Sequence, residues 1–504
     1  MDRFVQRHKD KITGVISCYD RVILTGTLPD LCHASAMAGY LSYRGIRIFD
    51  YPKWAEPLRE DVRVHAEVVA KEAGLKIDFV RSQKAFRKEE RVKEIIAEHG
   101  AHPGLIHVFS AMESCPSYRP WHDKNSGKTF HKPRQGKCLH YYFYFIDDDF
   151  GLCYMRVPTW APFRLQVYFN GHYWLAKQLE KADIDFVMEA NALIHIEDCE
   201  RAQSLADQFD PSLLHQALNR WAARFCPVAC QFHAGYHWSI MQVEYATDVI
   251  FRKQSELQPL YENIVRTAVH AIKVENVATF LGRKLTRAFS GEAGNDFSTR
   301  ILGTRIKHRM GKASIKVYDK FALILRVETT TNDVTFFKHH RWVEHRSGEK
   351  TFKLAQVRKS IYSLRDLKDL MGAANRRYLA FMADIDDPYA VRKEMDKLAG
   401  RMRNKGRSFR GFNLFNGIDL KLLLTIAQGE WTISGFRAAN LRQALGVKPG
   451  RASYLIKLLR VHGLIKKIGR QYKYYLTKTG RRIITTALVI REKLIVLQTV
   501  SQSA

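Results

Sequence analysis

The run CLHYYFYFI at 138–146 constrains this chain more than any other stretch, because so many consecutive apolar and aromatic residues must be buried and their types favour a strand. It ends at Asp147-Asp148-Asp149-Phe150-Gly151, a turn sequence, and is answered by GLCYMRV, so the whole reads as a β-hairpin. Similar signals surround it. ITGVISCYDRVIL (12–24) is rich in β-branched residues, LKIDFV reads as a short strand, GLIHVFSAM (104–112) as a buried one, and FRLQVYF (163–169) as another ending at Asn170-Gly171. ASIKVYDKFALILRVETTT (313–331) reads as two strands joined near Asp319-Lys320. Helical spacing of apolar residues marks 54–73, 84–99, 172–182, 200–225, 254–272 and Leu364 to Ala383. Strands alternating with helices predict an α/β or α+β region with a mixed sheet.

A chain of 504 residues is too long for one hydrophobic core. The expected division is an α/β domain over 1–200, a helical and β region over 201–387 that completes the same core, a basic linker over 388–416, and a separate domain over 417–504. Hydrophobic residues at 46% and charged residues at 26% are ordinary, but a net charge of +30 is not. From Lys397 to the end there are 22 lysines and arginines against three acids, Asp419, Glu430 and Glu492. Charge concentrated in this way predicts a nucleic-acid partner, with DNA favoured and RNA open. The eight cysteines are scattered and the N-terminus is charged throughout, which predicts reduced thiols and a cytoplasmic protein. No apolar run approaches the ~18 residues of a membrane span, so no membrane partner is expected.

The C-terminal segment has the order of parts of a winged helix-turn-helix. Asp419 is placed to N-cap a helix bearing Leu422, Leu423 and Ile426 that stops at Gly429, and a second helix spans about Arg437 to Leu445. A third runs Arg451–His462 with Ala452, Leu455, Ile456 and Leu459 on its apolar side. Arg451, Ser453, Tyr454 and Lys457 then fall on or near its exposed side, where a recognition helix meets base edges. LIKKI, a Gly469-Arg470 turn and QYKYYLT form a hairpin carrying Lys467, Arg470 and Lys473 for backbone or minor-groove contacts, before a last helix from Lys478 to Lys493. The stretch RASYLIKLLRVHGLIKKIGRQYKYYLTKTGRR resembles the recognition helix and wing of MarR-type winged-helix regulators. The resemblance implies a DNA-binding regulator or a mobile-element-associated factor. It leaves the oligomeric state open, with a homodimer among the options.

Upstream, the residues that bear on chemistry are carboxylates set in or at the ends of strands. Asp20, Asp147, Asp149 and Glu328 are the candidates for catalysis, and Asp20, Asp147 and Glu328 for holding a metal. Mg²⁺ takes oxygen ligands, and paired ions stabilise both the attacking and the leaving oxygen of a phosphoryl transfer. Glu244 and Asp248 in VEYATDVIF would share a face of a helix at their i, i+4 spacing. The alternative to a binding protein is therefore a Mg²⁺-dependent nucleic-acid-processing enzyme of transposase, nuclease or replication-initiator type. No other cofactor is indicated.

RIKHRMGKASIKVYDKFALILRVETT is similar to a stretch of rolling-circle replication initiators. That resemblance would place Lys316, Tyr318, Lys320, Arg326 and Glu328 on a DNA-binding sheet face, with Lys316 and Lys320 as contacts. Those initiators also carry a His-x-His pair, which this chain lacks, and Tyr318, Tyr362 and Tyr378 are the candidate nucleophiles. Residues 114–137, with Tyr118, Trp121 and Phe130 among cations, prolines and glycines, read as a long basic aromatic loop suited to RNA or single strands. Cys226, Cys230, His233 and His237 crowd four zinc-capable side chains too closely for a usual structural site, so buried cysteines are the expectation.

Overall fold

The computed structural model describes residues 2–81, 86–283, 293–300, 303–385, 395–404, 406–427, 431, 435–468, 472–477, 479–481, 483–484 and 487. The expected helix stop at Gly429, the Gly469-Arg470 turn, Arg470 itself and most of the terminal helix lie outside them. The fold is mixed α/β. The strands are β1 (Ile12–Thr27), β2 (Ile77–Phe79), β3 (Gly104–His122), β4 (Thr129–Asp147), β5 (Gly151–Pro158), β6 (Leu165–Asn170), β7 (Phe186–Glu189), β8 (Ala192–Ile196) and β9 (His237–Phe251). They continue with β10 (Ala293–Arg300), β11 (Gly303–Met310), β12 (Ala313–Lys320) and β13 (Ile324–Thr331). All but β7 and β8 belong to one 11-stranded sheet of order β10-β11-β12-β13-β9-β1-β6-β5-β4-β3-β2. The β6–β1, β3–β4, β4–β5, β5–β6, β10–β11 and β11–β12 pairs are antiparallel, and the short β2 joins β3 in parallel. Among the described residues no helix is long and apolar enough to cross a membrane.

The chain divides into two compact units that interleave along it: Met1–Val15 with Thr247–Thr329 and Leu370–Ala504, and Ile16–Ala246 with Thr330–Asp369. The divide falls inside β1, β9 and β13 rather than in linkers.

In the unit built around Ile16–Ala246, β4 shows why an unbroken apolar run is needed. Its odd positions meet the Pro211–Phe225 helix, with Phe143 stacked on Phe225 at 4.7 Å and Phe145 against Trp221 at 5.1 Å. Its even positions, Tyr142 and Tyr144, join Val92 of the Lys88–His99 helix in a second cluster. A strand covered on both faces loses the polar-out alternation of a surface strand. Each buried ring contributes about 1.5–3 kcal/mol.

Residues 114–137 are not the loop the composition predicts. They form the outer half of β3 and β4, in register from Ser114↔Lys137 to His122↔Thr129, with only 123–128 as the turn. The prolines are tolerated because the outer half is a two-stranded ribbon. Pro116, Pro120 and Pro133 occupy alternate pairs of the ladder, opposite Gln135, His131 and Tyr118. In an antiparallel ladder alternate pairs exchange no backbone hydrogen bonds, so a missing N–H costs nothing there. His131 packs edge-on to Tyr51 of the Tyr51–Glu72 helix and anchors the ribbon.

In the other unit, Ile324–Thr329 of β13 are buried at every position, charged residues included. Arg326 and Asp248 make a two-bond pair, both at 2.6 Å, with side chains wholly sequestered from solvent. Asn375 ties β13 to β9 by accepting from Thr329 Oγ1 at 2.7 Å and donating to Thr247 Oγ1 at 3.2 Å.

The C-terminal part of this unit has its own core. Three helices, Gly417–Ile426, Ala438–Leu445 and Pro449–Val461, precede an antiparallel hairpin, Ile465–Ile468 paired with Lys473–Leu476. Leu422, Leu423, Ile426, Leu441, Leu455, Leu459, Ile465 and Leu476 bury together with Phe409, Phe412 and Phe436. Asp419 is not the cap that the sequence predicts. Asn416 caps the first helix by accepting from Ile418 N and Asp419 N, while Asp419 lies inside, fully buried, accepting from both Arg410 guanidinium nitrogens at 2.6 Å. Its burial pushes the carboxyl up, but Arg410 and the Asn413 N–H outweigh that and hold it below the usual range.

Candidate metal centre

Asp20 sits in the middle of β1, among Ile16, Val22 and Leu24, and is 5% exposed. A carboxylate there needs donors, and two side-chain amides supply them at its Oδ1. Asn170 Nδ2 donates at 3.0 Å, Asn191 Nδ2 at 2.6 Å, and His172 Nδ1 lies at 3.2 Å. Local chain geometry delivers these groups. Asn170 ends β6 opposite Arg21 and N-caps the Gly171–Lys181 helix by accepting from His172 N at 2.8 Å. Gly171 lets the helix start this close to β1: a Cβ there would meet Tyr19 O at 2.2 Å.

Glu244 on β9 is 7% exposed, and its Oε1 accepts from Gln242 Nε2 at 3.0 Å. Glu328 on β13 is 1% exposed; its Oε1 accepts from Lys316 Nζ at 2.6 Å and its Oε2 from Tyr318 OH at 2.8 Å. β13, β9 and β1 are neighbours in the sheet order. Carboxylate oxygens of Asp20, Glu244 and Glu328 all lie within 4.8 Å of one another.

Three buried carboxylates at this spacing gather like charges where water is scarce, with the Lys316 ammonium beside Glu328. Like charges so placed destabilise one another unless a cation or protons intervene. Oxygen-only donors on rigid strands suit a hard divalent ion such as Mg²⁺ or Mn²⁺ and not zinc, which prefers nitrogen and sulfur. Asp248, by contrast, is neutralised by its two-bond pair with Arg326.

The cluster draws two of the four sequence candidates together, Asp20 and Glu328. Asp147 and Asp149 are elsewhere. Asp147 holds the β4–β5 turn by accepting from Asp149 N and Phe150 N through Oδ1, and from Trp221 Nε1 and Arg220 through Oδ2. Asp149 pairs with Lys181. The sequence spacing places Glu244 with Asp248 on one face of a helix; both lie instead on strand β9, where four residues apart also means one face. Lys316 does not stand on an open sheet face, since Glu328 holds its ammonium, and Lys320 Nζ lies 5.1 Å from the Phe321 ring centroid.

The tyrosine candidates separate clearly. Burial holds the Tyr378 phenol well above its ordinary range, Tyr362 OH is 2.8 Å from His215 Nδ1 on the surface, and Tyr318 belongs to the acid cluster. Burial likewise pushes the Cys226 thiol up to about 12, which disfavours the thiolate that a zinc site needs. Among the described residues the Asp20–Glu244–Glu328 group is the one set of potential metal ligands.

At the C-terminal end, Arg451, Ser453 and Lys457 are exposed on the Pro449–Val461 helix, and Tyr454 is partly buried with the Arg451 guanidinium 5.3 Å from its ring centroid. Lys467 is exposed on the hairpin and covers the Tyr472 ring at 3.8 Å, while Lys473 is partly buried beside Tyr475. Comparison with protein-family models, with curated proteins and with solved structures gives no match for this chain.

Proposed function

We propose that this protein is a divalent-metal-dependent enzyme that cuts or joins nucleic acid, DNA in the first instance. The convergence of the buried carboxylates of Asp20, Glu244 and Glu328 within 4.8 Å carries the reading. Asp20 and Glu244 would be the primary ligands, with Glu328 completing the set and Lys316 and Tyr318 orienting it. A bound Mg²⁺ or Mn²⁺ would supply Lewis-acid stabilisation of the charge that develops on transferring phosphoryl oxygens. Asn170 and Asn191, with His172 beside them, would hold the Asp20 carboxylate so that little reorganisation is left to the reaction.

In the same proposal the three C-terminal helices and their hairpin act as a winged helix-turn-helix. The Pro449–Val461 helix would enter the major groove through Arg451 and Ser453, and the cations of the hairpin would lie along the backbone. The concentration of positive charge from Lys397 onward supports a polyanionic partner.

One observation favours a second reading, a regulator that binds without cutting: Lys316 already neutralises part of the cluster. A single experiment separates the two. The full-length chain is incubated with end-labelled single- and double-stranded DNA and RNA in Mg²⁺, Mn²⁺ or EDTA. Metal-dependent cleavage or strand joining that Asp20→Asn and Glu244→Gln abolish, with binding retained, supports the enzyme. Stable retention of DNA with no turnover in any metal supports the regulator.

A further inference from the structure

Lys338–Glu344 (β14) and Lys350–Gln356 (β15) form a hairpin apart from the large sheet. Register pairs Trp342 with Phe352 and His340 with Leu354, which puts these four side chains on one face. That face is open to water: Trp342 is 64% exposed, Phe352 59% and Leu354 56%. The rings form a strip, with His340 nearly parallel to Phe352 at 5.9 Å and Trp342 tilted against Phe352 at 5.6 Å. Single exposed apolar residues are common, but a contiguous aromatic strip on a small hairpin marks a contact surface.

The chemistry of the surroundings selects the occupant. Residues 338–356 carry Lys338, Arg341, Arg346, Lys350 and Lys353 against Glu344 and Glu349, with Lys338, Lys350 and Glu344 on the face of the strip. Arg341 and Lys353 pair across the reverse face of the hairpin. Rings that accept stacked bases, flanked by cations that neutralise phosphates, match a single strand with unpaired bases. The β3–β4 ribbon differs in the decisive respect. Its Trp121 carries Lys132 at 3.8 Å and Arg119 at 4.9 Å from the ring centroid, so its own cations occupy the position a base would take. Trp342 and Phe352 touch each other at an angle and keep more than half of their surface in solvent.

We propose that the β14–β15 hairpin is a stacking platform for single-stranded nucleic acid, an inference that rests on the protein acting on nucleic acid and adds the form of strand it takes. The test uses the full-length chain in EDTA, so that nothing turns over, with fluorescein-labelled oligo(dT) and a duplex of equal length read by anisotropy. Trp342→Ala should weaken oligo(dT) binding about 5–150-fold, the span of one lost base–aromatic stack. Phe352→Ala should weaken it in the same sense, Trp342→Phe should restore most of it, and duplex affinity should stay within about twofold. Unfolding temperature, read alongside, should not move, because both rings are exposed.

Unchanged oligo(dT) affinity in both alanine variants overturns the proposal while leaving the enzyme reading intact. Equal losses for duplex and single strand overturn it too. A wild-type dimer in sedimentation that Trp342→Ala dissolves would instead assign the strip to contacts between copies. A wild-type chain that binds no nucleic acid at all removes both readings together.

Discussion

Replacing Gly171 by alanine should destabilise the protein, although the same change at most helical glycines stabilises by up to about 1 kcal/mol. The reason is the approach of the Gly171–Lys181 helix to β1. A Cβ at 171 would lie 2.2 Å from Tyr19 O, 2.7 Å from Tyr19 Cβ and 2.8 Å from Tyr19 C, and two of these are main-chain atoms of a central strand. Neither side can yield cheaply, so the cost falls at or above the usual overpacking range of about 1–3 kcal/mol and exceeds the gain in helix propensity. Relief would push the helix away from β1 and draw Asn170 and His172 from Asp20, since they flank the glycine. Thermal unfolding followed by circular dichroism should show a midpoint lowered by several degrees, at about 2–4 °C per kcal/mol for a body of this order of size. Mn²⁺ affinity should fall about 10–100-fold with the loss of the groups that orient Asp20. A Gly171→Ala protein as stable as the wild type, with the same Mn²⁺ affinity, would refute the close approach and the role given to these flanking residues.

Arg410→Ala should cost about 2–3 kcal/mol, below the usual range for a severed buried pair because Arg410 is 40% exposed while Asp419 is not. Because the folded pKa of Asp419 is depressed, the pair's contribution is present above the unfolded carboxylate value and is lost as pH falls through the folded one. Acid titration of wild type and Arg410→Ala should therefore show a stability gap near neutral pH that closes at low pH; a gap independent of pH would contradict it. Arg451→Ala should weaken binding to a cognate duplex by about 1–3 kcal/mol and relax its sequence preference. Lys467→Ala should instead weaken all duplexes alike and reduce the salt slope by about one. Identical effects of the two changes on specific and non-specific duplexes would contradict the assignment of the helix to bases and of the hairpin to backbone.

Much of the sheet was legible in the sequence, because strands buried on both faces, such as β4, carry an apolar run that no exposed element tolerates. The β3–β4 ribbon was hidden by Pro116, Pro120 and Pro133, which signal a loop unless their placement on alternate pairs of one ladder is seen. That parity is present in the sequence, but it becomes visible only once the pairing register is known. The acid cluster was half legible. Asp20 and Glu328 stood out as carboxylates inside apolar strands, where burial demands a partner. Glu244 was obscured because a spacing of four serves a helix face and a strand face equally. Asp147 and Asp149 misled for the converse reason: a turn at the end of a buried strand also concentrates carboxylates, to satisfy backbone N–H groups. Asp419 and Asn416, three residues apart, are both residue types that cap helices, and only the Arg410 pairing shows which of them is drawn inside.

The most direct measurement is Mn²⁺ titration of the wild type, Asp20→Asn and Glu328→Gln, read by electron paramagnetic resonance and paired with circular dichroism to confirm folding. Stoichiometric binding to the wild type is expected, lost or severely weakened in both folded variants in parallel with their loss of nucleic-acid cleavage. A wild-type protein that takes up no Mn²⁺, or variants that bind it as the wild type does, would contradict it.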